Sequence, residues 1–589
     1  MANQPRIILG LDFGTTCTGV AYGSTVGTVQ DIEIISSWPK GSGTCKVPSR
    51  IAYRDENPEL SVTRWGFRVD HQHVSYTWFK LRLDGDKEVT RGCDVSLFTE
   101  FSGILQLPEG RSAKQTCQDF LTNVWVFVED YLSRKFGAQK VRSVPIDVVM
   151  TVPAVWSDAA KYETREAALA SGFGARPGDT LRLITEPEAA ALTVIHPSAN
   201  QTTVDPVEVG ETFMVCDCGG GTVDVVTYII KSFNPPEFDE ACQGDGGQFG
   251  ASFIDRNFDQ WMTREFGRKY TQILTNRQAS HTRMMESFEK AKHDFGSQYD
   301  DDKEVYDVCH VDMDHPSTQF YDHEDRTVKI PKDVMEQFFR PIIKKILKLV
   351  QTQIDRARMN KHRVCHIILV GGFGENEFLN ARMREFCEAK EPPLKLSCPP
   401  NCQSAVMRGA VIRGLTPELQ PTLRVARCHY GCSVSKRFRE GIDKQTSAWM
   451  SAFGTKKMAY DRMEWLITKG EAVPPGKTIT QMIQKEIKQG EVLDYDEVEI
   501  FTCSDDKPPQ FEYAPSTKLA ACIEIHFTKD ELATARSKYS KRLEAYVTLV
   551  FYNIEINMSS DLGVLTVVVK HETTGRQMGT ATLQFQAED

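Results

Sequence analysis

A chain of 589 residues with a net charge of −10, 41% hydrophobic and 25% charged, is too long for one hydrophobic core and must divide into several domains. Its acidic balance, with no sustained basic stripe, excludes a general nucleic-acid binder. No run approaches the ~18 uncharged apolar residues that cross a bilayer, so no membrane span is expected.

The opening MANQPRIILGLDFG has no basic segment leading into a long apolar stretch and a small-residue cleavage site, and the closing FQAED carries no retention or lipidation signal. A cytoplasmic location, shared or not with the nucleus, is the expectation. The cysteines, 16 in all, are scattered over the whole length, which suits buried free thiols in a reducing compartment. Cys398/Cys402 and Cys428/Cys432 fall within loose zinc spacing without a knuckle pattern and are read as thiols too.

The first informative segment is LGLDFGTTCTGVAYG, residues 9–23. A strand over Ile7–Leu11 ends in Asp12, turns at Gly14 and presents Thr15 and Thr16 before a second strand. Glycine lets the chain approach a ligand closely, and the threonine amides and hydroxyls offer several donors to one anion. Asp12 beside a phosphate makes sense only with a divalent cation between them. An ordinary hairpin with an acidic turn would look the same in isolation.

Further along, Cys117–Leu132 has apolar groups at 117, 120, 121, 124, 125, 128, 131 and 132, the stripe of a helix packed on a sheet. Ile146–Thr151 reads as a buried strand. LITEPEAAAL, residues 183–192, sets Glu186 at a strand end and Pro187 at a helix start. Residues 213–228, FMVCDCGGGTVDVVTY, then repeat the first design: a strand over Phe213–Val215, Asp217, the glycines 219–221, Thr222, Asp224 and a second strand. Consecutive glycines inside a β-branched hairpin cost conformational entropy and call for a ligand-bound reason, and Asp217 and Asp224 suit a hydrated magnesium ion. Two such hairpins suggest a duplicated fold clasping one nucleotide.

His310, Asp312, Asp314, His315, Asp322, His323 and Glu324 crowd together and are read as a solvated polar loop rather than a metal site. Val334–Val350 predicts a helix with Phe338, Phe339, Ile342, Ile343, Ile346 and Leu349 on its inner face, Pro331 in its first turn and a kink at Pro341. VCHIILVGGFGENEFL, residues 364–379, is a strand over Ile367–Val370, the pair Gly371–Gly372 and a predicted helix whose N-terminus favours an anion. Pro417 and Pro421 bracket a linker. Beyond it the patterns alternate: Tyr546–Ile556 and Gly563–Val569 read as a hairpin turning at Ser559–Gly563, and Thr528 with Glu531 forms a capping box for one short helix.

In order and spacing, the segments at Asp12–Thr16, Glu186, Asp217–Asp224 and Gly371–Gly372 resemble those of the actin, sugar-kinase and heat-shock chaperone ATPase superfamily. They are most similar to the heat shock protein 70 family, in the manner of its divergent twelve-type branch. VVMTVPAVWSDAA, residues 148–160, adds Pro153 where those proteins have a hinge proline. The resemblance implies an α/β, two-lobed actin-like ATPase with duplicated ribonuclease-H-like lobes at residues 1–205 and 206–415. A β-rich domain at 416–589, resembling a lidless peptide-binding β-sandwich, would follow.

The same resemblance implies roles. Asp12 and Asp217 would hold the waters around Mg²⁺, and Gly14, Thr15, Thr16, Gly219, Gly220 and Gly221 would grip the phosphates of ATP or ADP. Thr222 would place the attacking water, Asp224 and Glu186 would complete the acidic ring, and Lys80 would act as the catalytic lysine. Gly250, Gly371, Gly372, Glu289 and Lys292 would border the nucleotide. His293 and Gly296 replace an arginine and a serine of the family, and Phe373 and Glu375 replace another such pair, so base recognition is rebuilt, with His293 or Phe373 stacking instead. In the tail, WLITKGEAVPPGKTIT (465–480) and IEINMSSDLGVLTVVVKHETTGRQ (554–577) resemble the family's peptide-binding domain. GLTPELQPTL stands where the family has its acidic-hydrophobic linker, and no helical lid or terminal acidic tetrapeptide follows. The implied activity is a slow ATPase of chaperone type, with extended peptides and co-chaperones as partners. A nucleotide-binding regulator or scaffold with little hydrolysis is the alternative. A small-molecule kinase would need a further carboxylate base over a sugar pocket, which no segment presents.

Overall fold

All of β1 (Ile7–Phe13) is buried, as is nearly all of β2 (Cys17–Ser24), because helices cover both faces of the sheet they belong to. The computed structural model describes residues 4–70, 72–85, 105–196, 207–275, 279–297, 302–454, 456–474, 476–488, 495–558 and 565–582. The chain separates into one unit ending at Gln420 and another beginning at Pro421.

In the first unit, the lobe that opens the chain is completed by α1 (Ala113–Phe136), β3 (Ile146–Val152), α2 (Asp158–Ala170), β4 (Thr180–Thr185) and α3 (Glu186–Ile195). Its sheet runs β4-β3-β1-β2 and then Glu33–Ile34, with Lys46–Pro48 also on β2. β1 is antiparallel to β2 and parallel to β3, and β3 is parallel to β4. α1 starts at a capping box between Ser112 and Gln115 and buries Cys117, Phe120, Leu121, Val124, Trp125, Val128 and Leu132, the predicted stripe, with Tyr131 half-buried. Each such side chain contributes roughly 1.5–3 kcal/mol when taken from water.

The second lobe repeats this plan with β5 (Thr212–Cys218), β6 (Val223–Phe233), α4 (Ser252–Phe266), α5 (Ala279–Asp294), α6 (Lys332–Met359), β7 (Val364–Val370), α7 (Glu377–Glu388) and α8 (Ala405–Leu415). Its sheet runs Pro236–Glu240, β6, β5, β7, Lys395–Ser397. β5 is antiparallel to β6 and parallel to β7, so the connectivity of the first hairpin recurs. α3 and α8 share one core with both sheets. They pack backbone against backbone, since a β-carbon at Gly409 would stand 1.7 Å from the Ala189 carbonyl oxygen; this close approach explains the alanine run 189–191.

α6 runs through Pro341 as one element, with all six predicted inner residues buried. Pro341 has no amide for the Gln337 carbonyl four residues back; beside that turn the Asn257 side-chain amide donates to the Phe338 carbonyl at 2.7 Å. After Gly371–Gly372 the chain makes only a short 3₁₀ turn, Phe373–Glu375, and α7 begins later, capped by Asn376, which accepts from the Leu379 amide at 3.0 Å. The double glycine therefore does not sit at a helix N-terminus. The polar stretch after His310 lies beside a three-stranded sheet. Its Asp312, Asp314 and Asp322 pair with Arg326, Lys269 and Lys329.

The second unit is built on two five-stranded antiparallel sheets. One runs Ala448–Met450, Lys457–Ile467, His429–Arg437, Tyr495–Cys503, Lys518–His526; the other runs Thr478–Lys488, Ala545–Met558, Leu565–His571, Gln577–Thr582, with Arg536–Ser540 also on Ala545–Met558. Ile467, Ile500 and Ile525 from the first sheet and Val550, Ile554, Val567 and Val569 from the second form a single core. The predicted tail strands pair from Tyr552↔His571 to Met558↔Leu565; their turn at Ser559–Gly563 lies outside the described residues. The helix Lys529–Thr534 carries the predicted Thr528/Glu531 capping box. Among the described residues no helix is long and apolar enough to cross a membrane.

Candidate functional site

The two hairpins end in turns of equal length. In the first, Phe13 pairs Thr18 and Gly14–Cys17 make the turn; in the second, Cys218 pairs Val223 and Gly219–Thr222 make it. Ser49 braces the first turn: its amide donates to the Thr16 carbonyl at 2.8 Å and its hydroxyl to the Gly14 carbonyl at 2.7 Å. The second turn is closed by the Gly219 amide on the Thr222 carbonyl at 3.0 Å. From behind, the amides of Gly250, Ala251 and Ser252 donate to the carbonyls of Gly221, Gly219 and Gly220 at 3.1, 3.1 and 2.9 Å. Gly250 permits that approach, because a β-carbon there would be 2.5 Å from the Gly219 and Gly220 carbonyl oxygens.

The turns meet. A β-carbon on Gly220 would stand 2.3 Å from Thr16 Oγ1, and one on Gly221 would stand 2.6 Å from Thr15 Oγ1. Gly371, at φ +86°, supplies a third backbone: its missing β-carbon leaves room for Asp217, whose Oδ1 would otherwise be 2.4 Å away. The Cys402 thiol donates to the Gly371 carbonyl at 3.3 Å and stands 3.8 Å from the Cys398 sulfur.

A cleft of about 510 Å³ opens over these turns. It is lined by Asp12, Gly14, Thr15, Thr16, Lys80, Glu186, Asp217, Gly219, Gly220, Gly221, Thr222, Glu289, Lys292, His293, Gly371, Gly372 and Phe373, which brings the sequence-derived residues into one place. Asp224 and Gly250 stand outside the lining. Asp224 is Asp217's cross-strand partner, and its Oδ1 accepts from the Val155 amide at 3.0 Å, tying the second hairpin to the Pro153 segment of the other lobe.

Lys80 is 1% exposed, 3.1 Å from Glu186 Oε1, and lies over the rings of Trp156 and Phe13 at 4.9 and 5.5 Å. That enclosure fixes its ammonium. Burial pushes the Glu186 carboxyl up, against the pull of Lys80. Burial, followed by the charges of Glu186, Asp224 and Asp12, pushes Asp217 well above the usual carboxylate range. Around the far wall Lys292 joins Asp255 at 2.7 Å and also pairs with Glu289; burial raises Asp255 to about 7, with Lys292 opposing.

The two residues expected to stack on a base diverge. His293 is 73% exposed and paired with Asp294, so it stands at the rim. Phe373 is buried with its ring 6.3 Å from Phe339, drawn into the core by the apolar face of α6. Sequence reasoning missed Lys46, Arg50, Trp78 and Asp255, which also line the cleft. Only the pairing of Lys46–Pro48 with β2 brings the first of these to the site. Asp255, one turn into α4 after the glycine-rich 244–250 segment, carried a local signal.

Asp12, Glu186 and Asp217 all line the cleft and present hard carboxylate oxygens that suit a hydrated magnesium ion held through its waters; among the described residues no three such groups lie close enough to ligate an ion directly.

Comparison with known proteins agrees with this geometry. Residues 111–425 match the family model "Hsp70 protein", and residues 424–572 match a separate one, a domain of unknown function designated DUF8568. Heat shock 70 kDa protein 12A of Mus musculus is 23% identical over 522 residues, covering 74% of this chain and 73% of that protein. With its duplicated hairpins converging on one cleft and more than half its length within the family model, the chain belongs to the Hsp70 family and carries that family's ATP-binding, actin-like domain.

Proposed function

We propose that this protein is a slow, magnesium-dependent ATPase of chaperone type. The observation that carries the reading is the meeting of Thr15 and Thr16 with Gly221 and Gly220 beneath a cleft that also holds Lys80, Glu186 and Asp217. Magnesium, when bound, would neutralise phosphate charge and order water around Asp12 and Asp217. The chain's own groups do the rest. The two turns supply hydroxyls and backbone donors from opposite lobes, so a phosphate chain would hold the lobes together. Lys80, oriented by Glu186 and its two rings, places a fixed positive charge where charge develops on the transferred phosphoryl group. Thr222, at the end of the second turn, offers a hydroxyl to position water. Asp224 keeps the hairpin registered against the Pro153 segment.

The β unit is assigned a peptide-binding role. Its support is the eleven-residue strand Thr478–Lys488 at the edge of its sheet, a position where an extended chain adds by main-chain hydrogen bonds. Co-chaperones and a cytoplasmic location belong to the same reading, and the free thiols of all described cysteines accord with it.

A second reading, a nucleotide-binding regulator with little hydrolysis, is favoured by the exposed His293 and the core-bound Phe373, which leave the base less enclosed. Measuring calorimetric Mg-ATP binding and single-turnover hydrolysis on one preparation separates the two. Binding with hydrolysis that vanishes in Asp217→Ala supports the ATPase; tight binding without any hydrolysis supports the regulator.

A further inference from the structure

The two lobes present the same hairpin with different charge. On β5 and β6, Asp217 stands opposite Asp224; on β1 and β2, Asp12 stands opposite Gly19. The strand Lys46–Pro48 pairs with β2 so that Lys46 lies directly across from Gly19. The lysine stem crosses the bare glycine, since a β-carbon there would be 3.0 Å from Lys46 Cγ. Where the second hairpin carries a carboxylate, the first therefore carries a cation. Lys46 Nζ is 2.6 Å from Asp12 Oδ2, with the two side chains 18% and 6% exposed, and it lines the same cleft as Thr15, Thr16 and Asp217. Lys80 is engaged with Glu186 on the other side.

An acidic side chain beside a phosphate needs positive charge between them. An ammonium has three donors, and only one is spent on Asp12, leaving others for a phosphate oxygen as a charge-assisted contact. We propose that Lys46 is a tethered counter-ion that supplies at Asp12 the charge balance a divalent cation otherwise provides, so that ADP and ATP bind this cleft without magnesium. The inference rests on the nucleotide reading above.

The test is calorimetric titration of the full chain with ADP and with ATP, once with magnesium and once with EDTA. For the unaltered protein the affinities in the two buffers should agree within about fivefold. In Lys46→Met, affinity in EDTA should fall by about tenfold or more, with magnesium restoring part of the loss, and Lys46→Arg should keep most of the EDTA binding. Binding by the unaltered protein that needs magnesium overturns the inference and leaves the nucleotide reading standing, and it does so without any variant that has to fold. Undiminished EDTA binding by Lys46→Met overturns the inference as well. No binding in either buffer overturns both.

Discussion

Gly220 and Thr16 belong to different lobes yet leave no space between them for a single methyl group. The consequence is that the spacing of the two turns is set by two missing side chains, Gly220 and Gly221, as much as by anything present. Gly220→Ala should push the turns apart at a cost of about 1–3 kcal/mol, the usual penalty of overpacking. Nucleotide affinity should weaken with it, and thermal denaturation alongside calorimetry reads both quantities. An alanine variant with unchanged melting and affinity would mean the turns are free to separate.

Lys80 and Glu186 form a buried pair, so removing one partner confounds chemistry with folding. Lys80→Ala should lower turnover by roughly 10²–10³ through loss of transition-state charge. It should also destabilise the protein by up to about 3–5 kcal/mol by stranding a buried carboxylate. The double variant Lys80→Met with Glu186→Gln should regain most of the stability and none of the turnover. If turnover returns with stability, the lysine's part is structural.

Asp224 should act through Val155 rather than on the nucleotide. Asp224→Asn keeps an acceptor for the Val155 amide and should melt within about 1 kcal/mol of the parent, whereas Asp224→Ala should lose roughly 1–3 kcal/mol. Equal melting of the two variants would show that this contact does not join the lobes.

In the β unit, Glu531 accepts from Arg576 Nε at 2.8 Å and Nη2 at 2.7 Å and caps its helix through the Thr528 amide at 2.9 Å. The Arg576 contact, opposed by burial and helped by Thr528, holds its carboxyl down to about 2 from the ordinary 4.5. Its native pKa lies below its unfolded one, so the stability it contributes is present above about 4.5 and is lost as pH falls toward about 2. Arg576 is 38% exposed, so water screens the pair and the expected contribution is about 1–2 kcal/mol. Glu531→Gln should lower urea stability of the β unit by that much at neutral pH, with the gap closing near pH 2.5. A gap that persists in acid would assign the effect to packing.

Much of this site was written locally. Asp12–Thr16 and Asp217–Thr222 announce themselves because a tight turn between buried strands needs glycine within a few residues, and the helix stripes of α1 and α6 depend only on 3.6-residue spacing. What failed to show was set by pairing over longer distances. Lys46 is an unremarked lysine until the register of β2 puts it over Gly19. Phe373, which stands where the resembling family has a serine, lines the cleft while its ring also packs toward Phe339, a contact that no local pattern announces. The start of α7 was readable in the Asn376 cap and was misplaced toward the glycines that drew attention. Arg50 and Trp78 reach the cleft through tertiary folding alone.

The most direct test of the account is hydrogen–deuterium exchange of the full chain with and without Mg-ATP, followed at the two turns. Residues 14–17 and 219–222 should gain protection together, since both hairpins would be held by one phosphate chain. Nucleotide that protects only one turn, or leaves both exchanging as before, would contradict it.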